Sequence, residues 1–241
     1  MTKRVLVADK IAPEGVTHLE GQPGLAVQVT TGLDEDGLCS AIKGCAAVIV
    51  RSASKVTARV LNAADSLEVV GRAGIGVDNI DVACATERGV VVLNTPDANA
   101  TTTAELSIAH LLSLSRNLPR ADRSVRAGKW ERSALTGVEV AGKVLGIVGF
   151  GTIGRLVAVR ARGLQMLLLV HDPFVTPEGI EAAGGEPSDL KRLLGEAHYV
   201  TLHCPVTSQT RGLIGEAQLT AKKPGARLIN CALGALVDEQ A

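Results

Sequence analysis

The 241-residue sequence predicts an α/β protein with two parallel sheets wrapped by helices. Three observations carry that expectation. Short apolar runs alternate with helical segments at the spacing of strand–helix–strand units. The apolar runs are nearly unbroken, as in strands buried on both faces. The alternation runs twice, with five strand candidates before a long helical stretch and four after it.

In order, residues 4–8 form an apolar, β-rich run, and a helical segment starts at Pro13. Residues 25–29 are the second strand candidate. Asp34, Glu35 and Asp36 open a helix running into Ile42, with acids at its positive end. Strands are expected at 46–50, 67–70 and 90–93, with helices at 56–63 and 80–88. The longest helical stretch is 99–127. Ala104, Leu106, Ile108, Ala109, Leu111, Leu112 and Leu114 surround most of its circumference, the pattern of a helix buried on several sides, as a linker between two lobes or a helix shared with a second subunit would be. Pro119 should interrupt it, and Gly128, Lys129 and Trp130 end it; Trp130 is expected to pack at the boundary between two lobes. The second series has strands at 144–148, 166–170, 199–202 and 226–230. A dinucleotide-binding fold has six strands, so this half looks incomplete at its C-terminal side.

Composition excludes several function classes. Lys plus Arg and Asp plus Glu each number 25, so zero formal net charge leaves no footprint for nucleic acid or a membrane surface. No apolar run reaches membrane-spanning length, and the N-terminus leads into a strand rather than a secretory signal. Cysteines 39, 45, 84, 204 and 231 are scattered and odd in number. This reads as a reduced, cytoplasmic protein with no disulfide framework and no metal site.

The sharpest motif is Gly149-Phe150-Gly151-Thr152-Ile153-Gly154, placed between an apolar strand and an amphipathic helix. Gly149 makes the tight turn, Gly151 lets the backbone approach a pyrophosphate, and Gly154 lets the helix pack closely on the strand. Amides on the first helical turn, at Thr152 and Ile153, face the phosphates. Asp172 ends the next strand, 18 residues past Gly154, where a carboxylate accepts from a ribose and repels a 2′-phosphate. That favours NAD over NADP. The alternative is a glycine-rich turn with an acid that merely starts a loop.

Several spaced stretches together resemble the D-isomer-specific 2-hydroxyacid dehydrogenases. They are Gly71-Arg72-Ala73-Gly74-Ile75-Gly76-Val77-Asp78-Asn79-Ile80-Asp81, Asn94-Thr95-Pro96, Ala104-Glu105, Gly128-Lys129-Trp130-Glu131-Arg132, the glycine turn, His171-Asp172-Pro173, Leu202-His203-Cys204-Pro205 and Asn230-Cys231-Ala232. The resemblance implies two Rossmann-like or flavodoxin-like lobes: a substrate lobe over 1–97 and a nucleotide lobe over 98–241, with substrate in the cleft between them. It implies a homodimer built on the nucleotide lobes, NAD as cofactor, and hydride transfer at C2 of a small phosphorylated 2-hydroxy acid. Glyoxylate- or lactate-type substrates, and a non-catalytic NAD-binding or dimer-partner role, are the alternatives.

By that resemblance Arg51 and Arg72 bind the substrate's anionic groups, and the alternative is two solvated surface arginines. The amides of Ala73 and Gly74 form a second carboxylate clamp, with Arg132 a further candidate that relatives can supply across a dimer. Ile75 lies beside the cofactor. His203, Cys204 and Pro205 run under the nicotinamide ribose and pyrophosphate, and Cys231 and Ala232 line the nicotinamide. Cysteine is more often a small apolar residue than a reactive one, so these are assigned packing and backbone contacts.

The chain departs from the family where the pattern Asn-Cys-Ala-Arg-Gly-Gly reads Asn230-Cys231-Ala232-Leu233-Gly234-Ala235. Leu233 stands at the catalytic arginine's position and cannot clamp a carboxylate. The family's catalytic histidine and glutamate fall beyond residue 241, and none of His18, His110, His171, His198 or His203 matches their motif. No catalytic residue is therefore assigned, and the chain as given is expected to be impaired. His171 is expected to be exposed, and Leu164-Gln165, in place of an aromatic-glycine pair, is expected to alter the turn into the next strand.

Overall fold

The computed structural model describes residues 2–241. It divides into two compact units, Met1–Asn99 and Ala100–Ala241.

The first unit runs β1 (Lys3–Val7), α1 (Pro13–Glu20), β2 (Leu25–Val29), α2 (Glu35–Ala41), β3 (Ala47–Val50), α3 (Ala58–Ala63), β4 (Val69–Arg72), α4 (Val82–Glu87) and β5 (Val91–Asn94). Its five strands lie in the order β2-β1-β3-β4-β5, all parallel. Leu6, Val48, Val50 and Val70 meet Leu38, Ile42, Val60 and Leu61 from the helices in one aliphatic core. Helix starts are fixed locally. Asp34 accepts from the Gly37 amide and Asp81 from the Cys84 amide, caps worth about 1 kcal/mol each.

The second unit continues with α5 (Ala100–Arg116), α6 (Leu118–Arg126), β6 (Val144–Val148), α7 (Thr152–Gly163), β7 (Leu167–His171), α8 (Pro177–Ala182), β8 (Glu186–Pro187), α9 (Leu190–Glu196), β9 (Tyr199–Leu202), α10 (Glu216–Ala221) and β10 (Arg227–Asn230). The order is β10-β9-β6-β7-β8, again all parallel. One core holds Leu145, Ile147, Tyr199 and Ile229 with Leu111, Val157, Ala158 and Ala161 from α5 and α7. The other holds Val148, Val200 and Leu202 with Leu193, Leu194, Ile214 and Leu236. This two-sided burial accounts for the uninterrupted apolar strands.

Register sets up both sites. In the first sheet Val50, Arg72 and Asn94 pair across three strands. In the second, Val148 pairs with both His171 and Leu202, and Leu202 pairs with Asn230. The residues just past these rows therefore emerge side by side at the strand carboxyl ends, where open α/β sheets take ligands.

The structure corrects several expectations. The second sheet has five strands rather than four, because β8 is a two-residue edge strand containing Pro187, too short to show as an apolar run. The long helix breaks at Asn117, which takes a left-handed φ of 55°, while Pro119 sits in the first turn of α6, where a missing N–H costs nothing. Only one stripe of α5 is buried (Ala100, Ala104, Ser107, Leu111 and Ser115), whereas Leu106 and Leu114 are 50% and 45% exposed. Trp130 follows α6 in irregular chain and is 83% exposed rather than packed. His171 is half-buried, its Nδ1 3.1 Å from the Ser188 carbonyl, because β8 leads the chain back alongside it. Gln165 does alter its turn: it takes φ 58°, a conformation that glycine adopts without strain.

Candidate functional site

In the second unit the site is built on the turn from β6 into α7. Gly149 has φ 93°, and a Cβ there would lie 2.6 Å from both the Cys204 amide nitrogen and the His203 carbonyl carbon. The turn is thus pressed against the chain leaving β9, and only glycine fits. A Cβ on Gly154 would overlap the Gly149 carbonyl oxygen, which fixes the close approach of helix to turn. Gly151 differs. It is the N-cap of α7, has φ −73°, and a Cβ there would meet nothing within 4 Å.

The α7 ladder begins with Arg155 donating to the Gly151 carbonyl at 3.0 Å. The amides of Thr152, Ile153 and Gly154 therefore have no helix carbonyl to bond, and no side chain caps them. Open space over Gly151 and unpaired donors at a helix N-terminus together suit a phosphate group.

Asp172 follows β7 beside this turn. Its Oδ2 accepts from the Phe150 amide at 2.6 Å, and Oδ1 accepts from the amides of Phe174 and Val175 at 2.8 and 3.2 Å. The carboxylate is thereby aimed by three backbone donors. Of its four lone-pair directions, about one, on Oδ2, is left for a ribose hydroxyl. His203 follows β9, and its amide donates to the Val148 carbonyl at 2.7 Å. Its Nε2 lies 2.9 Å from Thr201 Oγ1, while Nδ1 is buried without a partner. Burial pushes this imidazole down to about 4, so it is neutral at neutral pH. Burial also pushes the Cys204 thiol up, which favours packing over reactivity. Pro205 continues the same exposed turn, where its carbonyl accepts from Thr210 Oγ1 at 2.6 Å.

After β10, Asn230 Oδ1 accepts from the Ala232 amide and Asn230 Nδ2 donates to the Leu233 carbonyl, at 3.0 and 2.9 Å. This loop turn carries Cys231 and Ala232 past the strand end and leaves Leu233 38% exposed. The turn, Asp172, His203 and Cys231 thus share one sheet edge. Their donor set fits a dinucleotide, with cradle amides for the pyrophosphate and an aimed carboxylate for the ribose.

In the first unit Arg51 and Arg72 leave adjacent strand ends. Arg51 Nη1 donates to the Lys10 carbonyl at 3.2 Å. Arg72 Nε donates to Asn79 Oδ1 at 3.1 Å and to the Arg51 carbonyl at 3.3 Å. The Arg72 guanidinium lies over the following loop, and a Cβ on Gly74 would be 2.6 Å from its Nη1. Glycine there makes room for the cation.

The amides of Ala73 and Gly74 are not free for a carboxylate clamp. They donate to the Val50 and Arg72 carbonyls, both at 2.9 Å, because the strand ladder runs one residue past β4 and the loop then folds back. Ile75 lies half-buried in that loop, and its carbonyl accepts from Asn94 Nδ2 at 2.6 Å.

Sequence reasoning passed over Asp9 and Ser54 and gave Asn79 no role. Asp9 accepts from the Arg51 amide at 2.6 Å and from Ser54 Oγ at 2.8 Å. Burial works to raise the Asp9 carboxyl, yet the bonds from Arg51 and Ser54 hold it below its ordinary value. Its only sequence signal is an acid directly after an apolar strand.

Arg132 belongs to the second unit. It lines an open groove of about 680 Å³ with Arg116, Leu135 and Val138.

Comparison with known proteins agrees with this geometry. The sequence model for the NAD binding domain of the D-isomer specific 2-hydroxyacid dehydrogenases matches residues 108–241. D-3-phosphoglycerate dehydrogenase of Archaeoglobus fulgidus is 44% identical over 238 residues, covering 99% of this chain and 45% of that protein. The same-named enzyme of Methanocaldococcus jannaschii is 41% identical over 99% of this chain and 45% of its own length. The chain thus spans a little under half the length of the curated relatives it matches. Among solved structures, the TT0316 protein of Thermus thermophilus superposes with a TM-score of 0.90 at 34% identity, covering 98% of this chain and 76% of that one. NAD+-bound 3-phosphoglycerate dehydrogenase of Entamoeba histolytica gives 0.83 at 28% identity, covering 100% and 75%. With the family's domain model spanning more than half of the sequence, and its glycine turn and aspartate in place at one sheet edge, the chain belongs to the D-isomer specific 2-hydroxyacid dehydrogenases.

Proposed function

We propose that this chain carries the cofactor and substrate-anion sites of an NAD-dependent D-3-phosphoglycerate dehydrogenase acting in serine biosynthesis. One observation carries the cofactor half: the open cradle over Gly151 beside the aimed carboxylate of Asp172. Two guanidinium groups at adjacent strand ends support a doubly anionic substrate, and the curated relatives' shared name supports phosphoglycerate among 2-hydroxy acids. When bound, NAD+ supplies a hydride acceptor for C2 of the hydroxy acid. The chain's own residues hold the dinucleotide through the amides of Thr152, Ile153 and Gly154, hold its ribose through Asp172, and hold substrate oxygens through Arg51 and Arg72.

Leu233 favours a second component of the reading. A leucine at the family's arginine position offers no hydrogen bond to a carboxylate, and losing one partner of such a charged pair costs about 2–5 kcal/mol. Binding without efficient turnover is the result we expect, which leaves a cofactor-binding or dimer-partner role open to this chain. The half-exposed apolar residues Leu106, Leu114, Leu118 and Val125 on α5 and α6 support a homodimer through this unit.

The test is a calorimetric titration with NADH, then NADPH, followed by an NADH-formation assay with D-3-phosphoglycerate. Saturable NADH binding at least tenfold tighter than NADPH, with turnover far below that of an arginine-bearing relative, is the expected result. Failure to bind NADH would overturn the cofactor reading. Turnover matching the relative would overturn the expectation of impairment.

A further inference from the structure

We propose that Asp9 is a positioning residue that presets Arg51 and Arg72 as a two-cation receptor for an anionic substrate. The inference rests on the reading of those arginines as substrate ligands. Asp9 is 4% exposed, and a carboxylate taken out of water is costly unless its lone pairs are satisfied. Among the described residues it has no ion-pair partner. All of its hydrogen bonds go to one loop: the Arg51 amide at 2.6 Å, the Ser54 amide at 3.1 Å and Ser54 Oγ at 2.8 Å.

The loop passes the constraint on. Asn79 Nδ2 donates to the Arg51 and Ser54 carbonyls, both at 2.7 Å. Asn79 Oδ1 then accepts from Arg72 Nε at 3.1 Å. A continuous chain of bonds thus runs from the buried carboxylate to the guanidinium two strands away. Sheet packing does not ask for this acid, since Val5, Leu6, Val7 and Ala8 before it are apolar and buried. Neither arginine has a carboxylate within ion-pair distance among the described residues, so both guanidinium groups keep hydrogen-bonding capacity for an anion, and a fixed loop holds them ready for it.

The experiment compares the unaltered chain with Asp9→Asn and Asn79→Ala. Each is titrated calorimetrically with D-3-phosphoglycerate, with inorganic phosphate and with NADH. Hydrogen exchange of the Arg51 and Ser54 amides is followed alongside that of Val48 and Val50. The expected outcome is at least tenfold weaker phosphoglycerate binding in Asp9→Asn and at least threefold weaker in Asn79→Ala. NADH affinity should change less than twofold, and exchange should quicken at Arg51 and Ser54 but not at Val48 and Val50. A merely structural role would loosen the strand amides together with the loop. Unchanged phosphoglycerate affinity in both variants overturns the proposal. If Asp9→Asn does not fold, Asn79→Ala decides alone, and wild-type affinity there overturns it. If the unaltered chain binds neither phosphoglycerate nor phosphate, the reading of the arginine site fails, and this proposal with it.

Discussion

Single side chains decide the electrostatics of both sites. His203 is the clearest case, with a buried, unpartnered Nδ1 and an imidazole pushed down to about 4 from 6.5. A folded-state value below the unfolded one means that the unfolded chain binds the extra proton first. The contribution is therefore complete above about pH 6.5 and is lost as pH falls from there toward 4. At about 1.36 kcal/mol per pH unit, the full loss is on the order of 3 kcal/mol. Urea unfolding at pH 7.5 and pH 5 should show this slope in the unaltered chain and a flatter one in His203→Gln. Equal slopes in both would remove His203 as the cause. At this scale the sequence was only partly legible. Gly149 and Gly154 could be read because each answers a local backbone demand, whereas nothing in the chain itself requires glycine at 151. Asp9 could not, because its partners Arg51 and Ser54 lie 42 and 45 residues away and nothing local marks the pairing. The Ala73 amide was misread for the same reason, since it donates to Val50 on the neighbouring strand, while the Gly74 amide turns back on the Arg72 carbonyl two residues before it.

At the level of elements, the turn from β6 to α7 separates folding from binding within six residues. Gly151 takes φ −73° and faces open space, so Gly151→Val should fold normally while filling the phosphate approach. We expect at least a 30-fold loss of NADH affinity, with a melting temperature within about 3 °C of the parent. Gly154→Val should instead force the helix off the Gly149 carbonyl and lower stability by roughly 2 kcal/mol or more. Paired melting curves and NADH titrations check both, and a destabilised Gly151→Val with intact affinity would contradict the assignment. The strands could be read to within about two residues because short apolar runs mark them, unbroken where both faces are buried, as in β6 and β9, and still apolar at the more exposed edge strands β2 and β5. The edge strand β8 could not, since two residues carry no pattern. The apolar pattern of α5 did not say which residues pack within the chain, because an apolar side chain on a helix does not by itself name a neighbour: Leu111 has one in this unit's core, while Leu114 is left on the surface of the single chain.

For the whole molecule, the two compact units place the residues proposed for the substrate anion and those proposed for the dinucleotide on separate sheets. Ligand protection should follow that division. A ligand at 100 times its dissociation constant stabilises what it binds by about 2.7 kcal/mol. NADH should therefore slow hydrogen exchange in β6, β7 and α7, and phosphoglycerate should slow it at 51–54 and 72–79. Protection by NADH confined to the first unit would refute the assignment of sites to units. Among the described residues no helix is long and apolar enough to cross a membrane, and zero net charge leaves local groups, not a global field, to select the ligand. The two-residue strand β8 has one more consequence. Pro187 has no amide hydrogen to offer a further strand, and β8 is too short to template one. The opposite border, β10, is a four-residue strand paired on one side only, with β9 between it and the glycine turn. The second sheet is therefore more readily extended at β10, and a strand added there would lie beside the loop that carries Cys231 and Ala232.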